Sequence, residues 1–215
     1  MPPKSISLLY TTARHAVIDD VIGRWFDEGH EAIEMILVTD EPVTYQRNHP
    51  NVRHVINAGR RDCVTGWNLA ALHSVGDILI QVSDDLFPPP GWAKSIRGMI
   101  EQLSQVRPDV VLNLLDERKI LFSVFHPVMT RSAYEKLNVI YPPDFESMYC
   151  DNWFCAYHRK YSCYGEGHEV FWHHRHRTTH AVEIDDVTRL HESSERYVRG
   201  RETFAKYVRE HGLSV

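Results

Sequence analysis

Gly76-Asp77-Ile78-Leu79-Ile80-Gln81-Val82-Ser83-Asp84-Asp85-Leu86-Phe87-Pro88-Pro89-Pro90-Gly91-Trp92 is the stretch that decides the fold. The apolar run 78–82, broken only by Gln81, is bounded by turn signals and is too short for a stable helix, so it reads as a short buried strand. At its C-terminal end two carboxylates, Asp84 and Asp85, arrive together. Ligands of open α/β sheets bind beyond the carboxyl ends of the strands, and adjacent acids there repel unless a cation or a donor-rich partner lies between them. The pair is therefore a candidate divalent-metal site. The competing reading is a pair of turn residues before Pro88, the default role of Asp.

Working outward, residues 5–12 form a β-rich segment ending in Thr11-Thr12-Ala13-Arg14, and Val17, Val21, Ile22, Trp25 and Phe26 then repeat at helical spacing over 17–30. Residues 33–39 and 52–56 read as strands, closed by Asp40-Glu41-Pro42 and Asn57-Ala58-Gly59. A helix over 62–75 offers Val64, Trp67, Leu69, Ala71 and Leu72 for packing, and Gly76 stops it. This alternation predicts a parallel sheet with right-handed crossovers. Downstream, Ile96, Met99, Ile100 and Leu103 share one face of a helix over 91–106, which Pro108 ends. The pattern then changes. Residues 110–115 and 120–125 are strand-like and separated by only four residues, which predicts a hairpin or an excursion at the sheet edge. Ser132 and Glu135 have capping-box spacing for a short helix through Leu137. After Pro142-Pro143 a helix is expected over 151–161, a short strand over 169–172, and one long amphipathic helix over 186–211 ended by Gly212. Without repeats or a Gly/Ser linker, one domain over 1–215 is expected.

The composition narrows the class. At 215 residues, 43% hydrophobic and 11% aromatic, the chain can bury a full core. A net charge of -5 gives no global basic field, so nonspecific nucleic-acid binding is not indicated. Cys63, Cys150, Cys155 and Cys163 show no C-x-x-C spacing and read as reduced thiols. Met1-Pro2-Pro3-Lys4 lacks the apolar run of a signal peptide, and no stretch of about 18 apolar residues occurs, so an intracellular, cytoplasmic protein is expected.

The ordered features resemble those of nucleotide-sugar-dependent glycosyltransferases of the GT-A fold, in particular family-2-like inverting enzymes. The resemblance is carried by Thr11-Thr12-Ala13-Arg14, Asp40, Asn57-Ala58-Gly59-Arg60 leading to Trp67-Asn68-Leu69-Ala70, Gly76-Asp77, Ser83-Asp84-Asp85 and Pro90-Gly91-Trp92. It continues in Asp151-Asn152-Trp153-Phe154, like the acidic catalytic segment, and His173-His174-Arg175-His176, like the histidine that closes the metal site; it spans roughly residues 5–190. One residue departs from the pattern: Ser83 stands where the fuller acidic motif has an acid. The resemblance implies an α/β, Rossmann-like, mostly parallel central sheet flanked by helices, with a mixed acceptor-side half. Residues 1–125 would bind the nucleotide-sugar, a UDP- or GDP-sugar first of all, and 126–215 the acceptor glycan, protein or modified nucleic acid. The implied reaction is metal-dependent transfer of a hexosyl or pentosyl group to an acceptor hydroxyl with inversion.

A departing diphosphate calls for a cation held by carboxylate oxygens, Mn²⁺ or Mg²⁺. Asp85 is the principal ligand by resemblance, and Asp84 serves either the metal or the donor ribose. If 170–176 is extended, His174 and His176 share one face and His173 takes the other; His174 is the chosen ligand, with His176 or His173 in reserve. A zinc site using Cys163 and His168 lacks good spacing, and a basic loop with Arg175 and Arg177 touching diphosphate directly is the alternative. Asp40 resembles the nucleoside-binding carboxylate, with a turn Asp before Pro42 as its rival. Thr11, Thr12, Arg14, Asn57, Gly59 and Arg60, with Arg61 beside them, are donor candidates; Trp67 and Asn68 suit packing and helix positioning. Trp92 suits either a sugar platform or the core. His126, Tyr149 and Asn152 are further acceptor or sugar candidates, and the basic run His158-Arg159-Lys160 between Tyr157 and Tyr161 suits an anionic acceptor. Asp151 is the candidate general base, against a plain helix cap, with Asp144 and Glu146 as competing acids. A nucleotidyltransferase would begin with a Gly-rich phosphate loop, which Leu8-Leu9-Tyr10-Thr11-Thr12 does not supply. A noncatalytic sugar- or nucleotide-binding module would have no need of a base.

Overall fold

A computed structural model describes residues 4–26, 33–116, 124–175 and 185–214. Strands β1 (Ile6–Thr11), β2 (Ile33–Thr39), β3 (Val52–Ile56) and β4 (Ile78–Val82) are parallel, with β1 between β2 and β4 and β3 outside β2. β1, β2 and β4 are nearly continuous apolar runs because both faces of the sheet are covered. Side chains alternate between two cores. Leu8, Tyr10, Met35, Ile80 and Val82 face helices α1 (Ile18–Phe26) and α3 (Trp92–Ser104), whose Trp25, Trp92 and Ile96 fill one core. Leu9, Ile36 and Leu79 face the other, with Val64, Ala70 and Ala71 of α2 (Cys63–His73) and Trp153 and Phe154 of α5 (Cys150–Tyr161).

The second half is mixed. β5 (Leu86–Phe87), β6 (Val110–Asp116), β7 (Val128–Thr130) and β8 (Cys163–His174) complete a sheet of order β3-β2-β1-β4-β7-β6-β8-β5. The antiparallel partner of β6 is β7, inserted between β4 and β6, and the strand expected over 120–125 falls mostly outside the described residues. Residues 117–123 of that expected hairpin lie outside the described residues. Three residues are too few to announce a strand, yet β7 is completely buried because it fills the centre of the sheet. The cap of the following helix α4 (Arg131–Tyr134) is Thr130, whose hydroxyl accepts the Ala133 N–H at 3.3 Å, so the Ser132/Glu135 spacing is not the capping box it suggests.

β8 runs far beyond the expected 169–172 and lies parallel to β6, with a register shift at Leu114/Leu115. Its start is hidden in the sequence by Gly165 and Gly167, which carry no strand signal. The backbone runs close to its neighbours there: a Cβ at Gly165 would meet the Leu103 side chain at 2.5 Å and one at Gly167 the Leu114 side chain at 2.4 Å, so either leucine would have to shift. The expected single C-terminal helix is two, α6 (Asp186–His191) and α7 (Ser194–His211), because Ser193 turns extended and caps α7. Gly212, left-handed, ends α7 as its sequence position suggests. All four cysteines are free thiols.

Candidate functional site

The carboxyl ends of β1, β2 and β4 open onto one cleft of about 300 Å³, lined by Thr11, Thr12, Arg14, Asp40, Asp84 and Asp85 among others, with Val187 and Thr188 of α6 across its mouth. Three parallel strands thus deliver their terminal polar residues to one place, as open α/β sheets do. Asp84 is held by donors: its carboxylate accepts the Tyr10 hydroxyl at 2.6 Å, the Thr12 hydroxyl at 3.1 Å and the Arg14 guanidinium at 2.9 Å. Burial, then the Asp84 charge, push the Tyr10 phenol far above its usual range, so it stays a donor. Arg14 also grips Asp185 through two nitrogens, at 2.6 and 2.9 Å, and donates to the Thr188 hydroxyl at 2.8 Å, which ties α6 to the cleft.

Asp85 is built differently. One carboxylate oxygen accepts the Ser83 hydroxyl at 2.6 Å and the other lies 3.1 Å from His174 Nε2. Burial raises its pKa, but His174 when protonated, through its hydrogen bond and charge, and Ser83 outweigh that and hold the carboxyl well below the usual range. The element responsible is β5. Its antiparallel register sets Leu86 opposite His174, and the Arg175 N–H donates to the Asp85 carbonyl at 2.9 Å. Arg24 locks the same turn from beneath, donating to the carbonyls of Asp84 and Leu86 at 2.8 and 3.0 Å. Strand alternation points His174 inward with Trp172 and leaves His173 exposed; His176 lies outside the described residues.

Behind His174 are two residues that sequence reasoning does not place there. Asp116, at the end of β6, has a carboxylate oxygen 2.9 Å from His174 Nδ1, and His126 Nε2 lies 3.3 Å from the same nitrogen. All three side chains are buried and could hold a metal as a group. In the sequence Asp116 falls in the expected hairpin turn and His126 among the acceptor candidates, and no local signal distinguishes either. Their meeting depends on the parallel β6/β8 ladder, which pairs Asp116 with Trp172.

In the loop after β3, Asn57 donates to Asp40 at 2.9 Å and to the Arg60 carbonyl at 3.0 Å, and accepts the Gly59 N–H at 3.0 Å. Asn57 and Gly59 therefore shape the loop behind Asp40. The Arg60 guanidinium turns away to Asp62 and to the carbonyls of Pro143 and Phe145, while Arg61 reaches the cleft. Asn68 spans the same gap, accepting the N–H groups of Ile140 and Tyr141 at 2.8 and 3.1 Å. Burial pushes the Cys63 thiol, at the cleft wall, up to about 12, which leaves it inert as a nucleophile.

From the segment before α5, Ser147 and Met148 reach the cleft, and Asp151 and Asn152 sit half-buried in the first turn of that helix. Tyr149 opens that helix at φ 67°, a left-handed strain for a non-glycine residue, with its ring stacked on Phe204 and edge-on to Tyr197. The competing acids are engaged by α7: Asp144 by Lys206 at 3.0 Å, Glu146 by Arg196 and Arg199 at 3.2 and 3.0 Å. Two expectations are corrected by burial. Trp92 is 1% exposed, edge-on to Trp25 at 5.0 Å, and is a core residue rather than a sugar platform. His158 is wholly buried, which interrupts the expected basic surface around Arg159 and Lys160.

No protein-family model matches the sequence, and no curated protein matches it. Solved structures do. The mannosyltransferase PcManGT from Pyrobaculum calidifontis, in complex with GDP-Man and Mn²⁺, matches with a TM-score of 0.64 at 13% identity, covering 97% of this chain and 64% of that one. S. aureus TarS 1–349 in complex with UDP-GlcNAc matches with a TM-score of 0.65 at 13% identity, covering 95% and 66%. This chain thus spans just under two thirds of the length of either. It has the GT-A-type glycosyltransferase fold: a mixed sheet flanked by helices, with the Asp84/Asp85 turn at the cleft. No helix among the described residues is long and apolar enough to cross a membrane.

Proposed function

We propose that this chain is a divalent-metal-dependent glycosyltransferase that moves a sugar from a nucleotide-sugar to an acceptor hydroxyl with inversion. The observation that carries the reading is the meeting of Asp85 and His174, 89 residues apart in sequence, at the cleft where three strands end. Neighbouring structures with the same fold hold GDP-Man with Mn²⁺ and UDP-GlcNAc, which supports a donor of that class. The residues fit a cation: a carboxylate oxygen and an imidazole nitrogen face each other, and the mixed donor set favours Mn²⁺ over Mg²⁺, which prefers oxygen alone. When bound, the ion would offset the charge that builds on the departing diphosphate.

The chain's own groups divide the remaining work. Asp84, fixed by Tyr10, Thr12 and Arg14, and Asp40, fixed by Asn57, present carboxylates to donor hydroxyl or base N–H groups. Asp151 takes the proton of the acceptor hydroxyl as it attacks the anomeric carbon opposite the leaving group, which is the geometry of inversion. Its place in the first turn of α5 favours the ionised form, because the helix N-terminus is partially positive. Asp144 and Glu146 are committed to ion pairs with α7 and are poorer bases.

Asp151→Asn tests the assignment: Tyr149, not Asp151, is the N-cap of α5, and Asn keeps the size and polarity of the side chain but cannot accept the proton. With a panel of UDP- and GDP-sugars and candidate acceptors, turnover should fall by about 10²–10⁴ while donor affinity and melting temperature hold. Near-normal turnover would place the base elsewhere.

A further inference from the structure

Asp116 has no part in the function proposed above, yet its buried carboxylate meets the buried ring of His174 at 2.9 Å. The inference rests on the metal seat of that reading. We propose that Asp116 is the positioning residue of the seat: it accepts the Nδ1–H of His174, fixes the proton on that nitrogen and so turns the Nε2 lone pair toward Asp85. Histidines that bind metals commonly donate their other ring N–H to a carboxylate, which sets the tautomer and the ring plane. The geometry here has both halves. Nδ1 faces Asp116 at 2.9 Å and Nε2 faces Asp85 at 3.1 Å. With Nδ1 carrying its proton for Asp116, a neutral imidazole leaves two electron-pair donors, Nε2 and the Asp85 oxygen, facing one another, an arrangement that a cation completes.

His126 is the competing partner for Nδ1, at 3.3 Å and edge-on to the His174 ring. A neutral imidazole at the longer distance is the weaker acceptor, since hydrogen bonds to a charged group are shorter and roughly twice as strong. Placement is rigid as well. Asp116 and His174 both sit on strands of one parallel ladder, with Asp116 paired to Trp172, two residues before His174. Removal of the Asp116 carboxylate frees the proton to move to Nε2, where it would be donated to Asp85 and close the seat.

The test needs neither donor nor turnover. Mn²⁺ alone is titrated into the full chain by electron paramagnetic resonance, and the histidine nitrogens are assigned by ¹⁵N NMR with and without Mg²⁺. Asp116→Asn should weaken Mn²⁺ binding about 10- to 100-fold, and His126→Gln by no more than about threefold. In the wild type, Nδ1 of His174 should be protonated in both conditions, and in Asp116→Asn that preference should be lost. An Asp116→Asn protein that binds Mn²⁺ as the wild type does overturns the proposal. So does a wild type that binds no Mn²⁺. Binding that survives Asp85→Asn but is lost in His126→Gln also overturns it, by placing the ion among Asp116, His126 and His174. Should Asp116→Asn fail to fold, the wild-type spectrum decides alone, an unprotonated Nδ1 being the contrary result. Asp116-dependent Mn²⁺ binding without sugar transfer would uphold this role and fault only the reading of the function.

Discussion

Ser83 shows how much a single residue's role depends on what the fold brings to it. As a departure from an acidic motif it looks like a loss of charge, but its hydroxyl donates to Asp85 at 2.6 Å and braces the carboxylate that faces His174. A hydrogen bond to a charged group contributes about 1.5 kcal/mol or more. Ser83→Ala should therefore weaken Mn²⁺ binding roughly tenfold with an unchanged melting curve. A calorimetric change of less than about twofold would mean that Asp85 does not need the brace. The acidic pair itself is legible in the sequence, since two Asp residues follow a buried apolar run. The division of labour between them is not. Asp84 is surrounded by Tyr10, Thr12 and Arg14 and Asp85 by Ser83 and His174, partners drawn from distant strands that no local spacing announces.

At the scale of elements, the strands and helices with long periodic patterns are readable, and the short ones are not. β5 is two residues long and carries no pattern, yet its register with β8 is what sets His174 beside Asp85. The C-terminal helix looks continuous in the sequence because its apolar periodicity passes through Ser193; the cap at that residue, a local hydrogen bond, breaks it. α7 packs closely on the cleft wall at Gly200, where an added Cβ would sit 2.4 Å from the Met148 carbonyl oxygen. Backbone cannot yield as a flexible side chain can, so Gly200→Ala should cost about 1–3 kcal/mol, a drop of roughly 2–12 °C in Tm. Donor affinity should fall with it, because Met148 lines the cleft. Gly98 supplies the contrast. It lies on an exposed position of α3, where an added Cβ would have nothing within 4 Å, and Gly98→Ala should stabilise by about 0.5–1 kcal/mol. Scanning calorimetry of the two variants separates the cases, and equal melting temperatures would contradict the packing described for α7.

Across the whole molecule, stability should depend on pH through His158. Burial, then the Lys136 charge, lower its pKa from 6.5 to about 3, against a smaller opposing effect of Asp109. Its Nδ1 bonds the Ser162 hydroxyl at 2.8 Å, and its Nε2 is buried with no hydrogen-bond partner among the described residues. The folded protein keeps this ring neutral where the unfolded chain protonates it, so the stabilisation is full above pH 6.5 and is lost as pH falls from 6.5 toward 3. The slope approaches about 1.4 kcal/mol per pH unit, or about 2 kcal/mol between pH 6.5 and 5. Urea denaturation at those two pH values should show that loss in the wild type and a clearly smaller one in His158→Gln; parallel losses would contradict it. The layout of the first half, a parallel sheet ending in polar residues, is readable because β1, β2 and β4 are nearly continuous apolar runs bounded by turn residues. The second half is not, because β7 and β8 are specified by the neighbours they fill in beside. The claim that joins both halves is a metal-bound nucleotide-sugar in the cleft, and it is met most directly by calorimetric titration of UDP- and GDP-sugars, with and without Mn²⁺, into the wild type and Asp85→Ala. The predicted result is a donor that binds the wild type strongly only with Mn²⁺ and loses that dependence in Asp85→Ala. Mn²⁺-dependent binding unchanged by Asp85→Ala, or no binding of any donor, would contradict it.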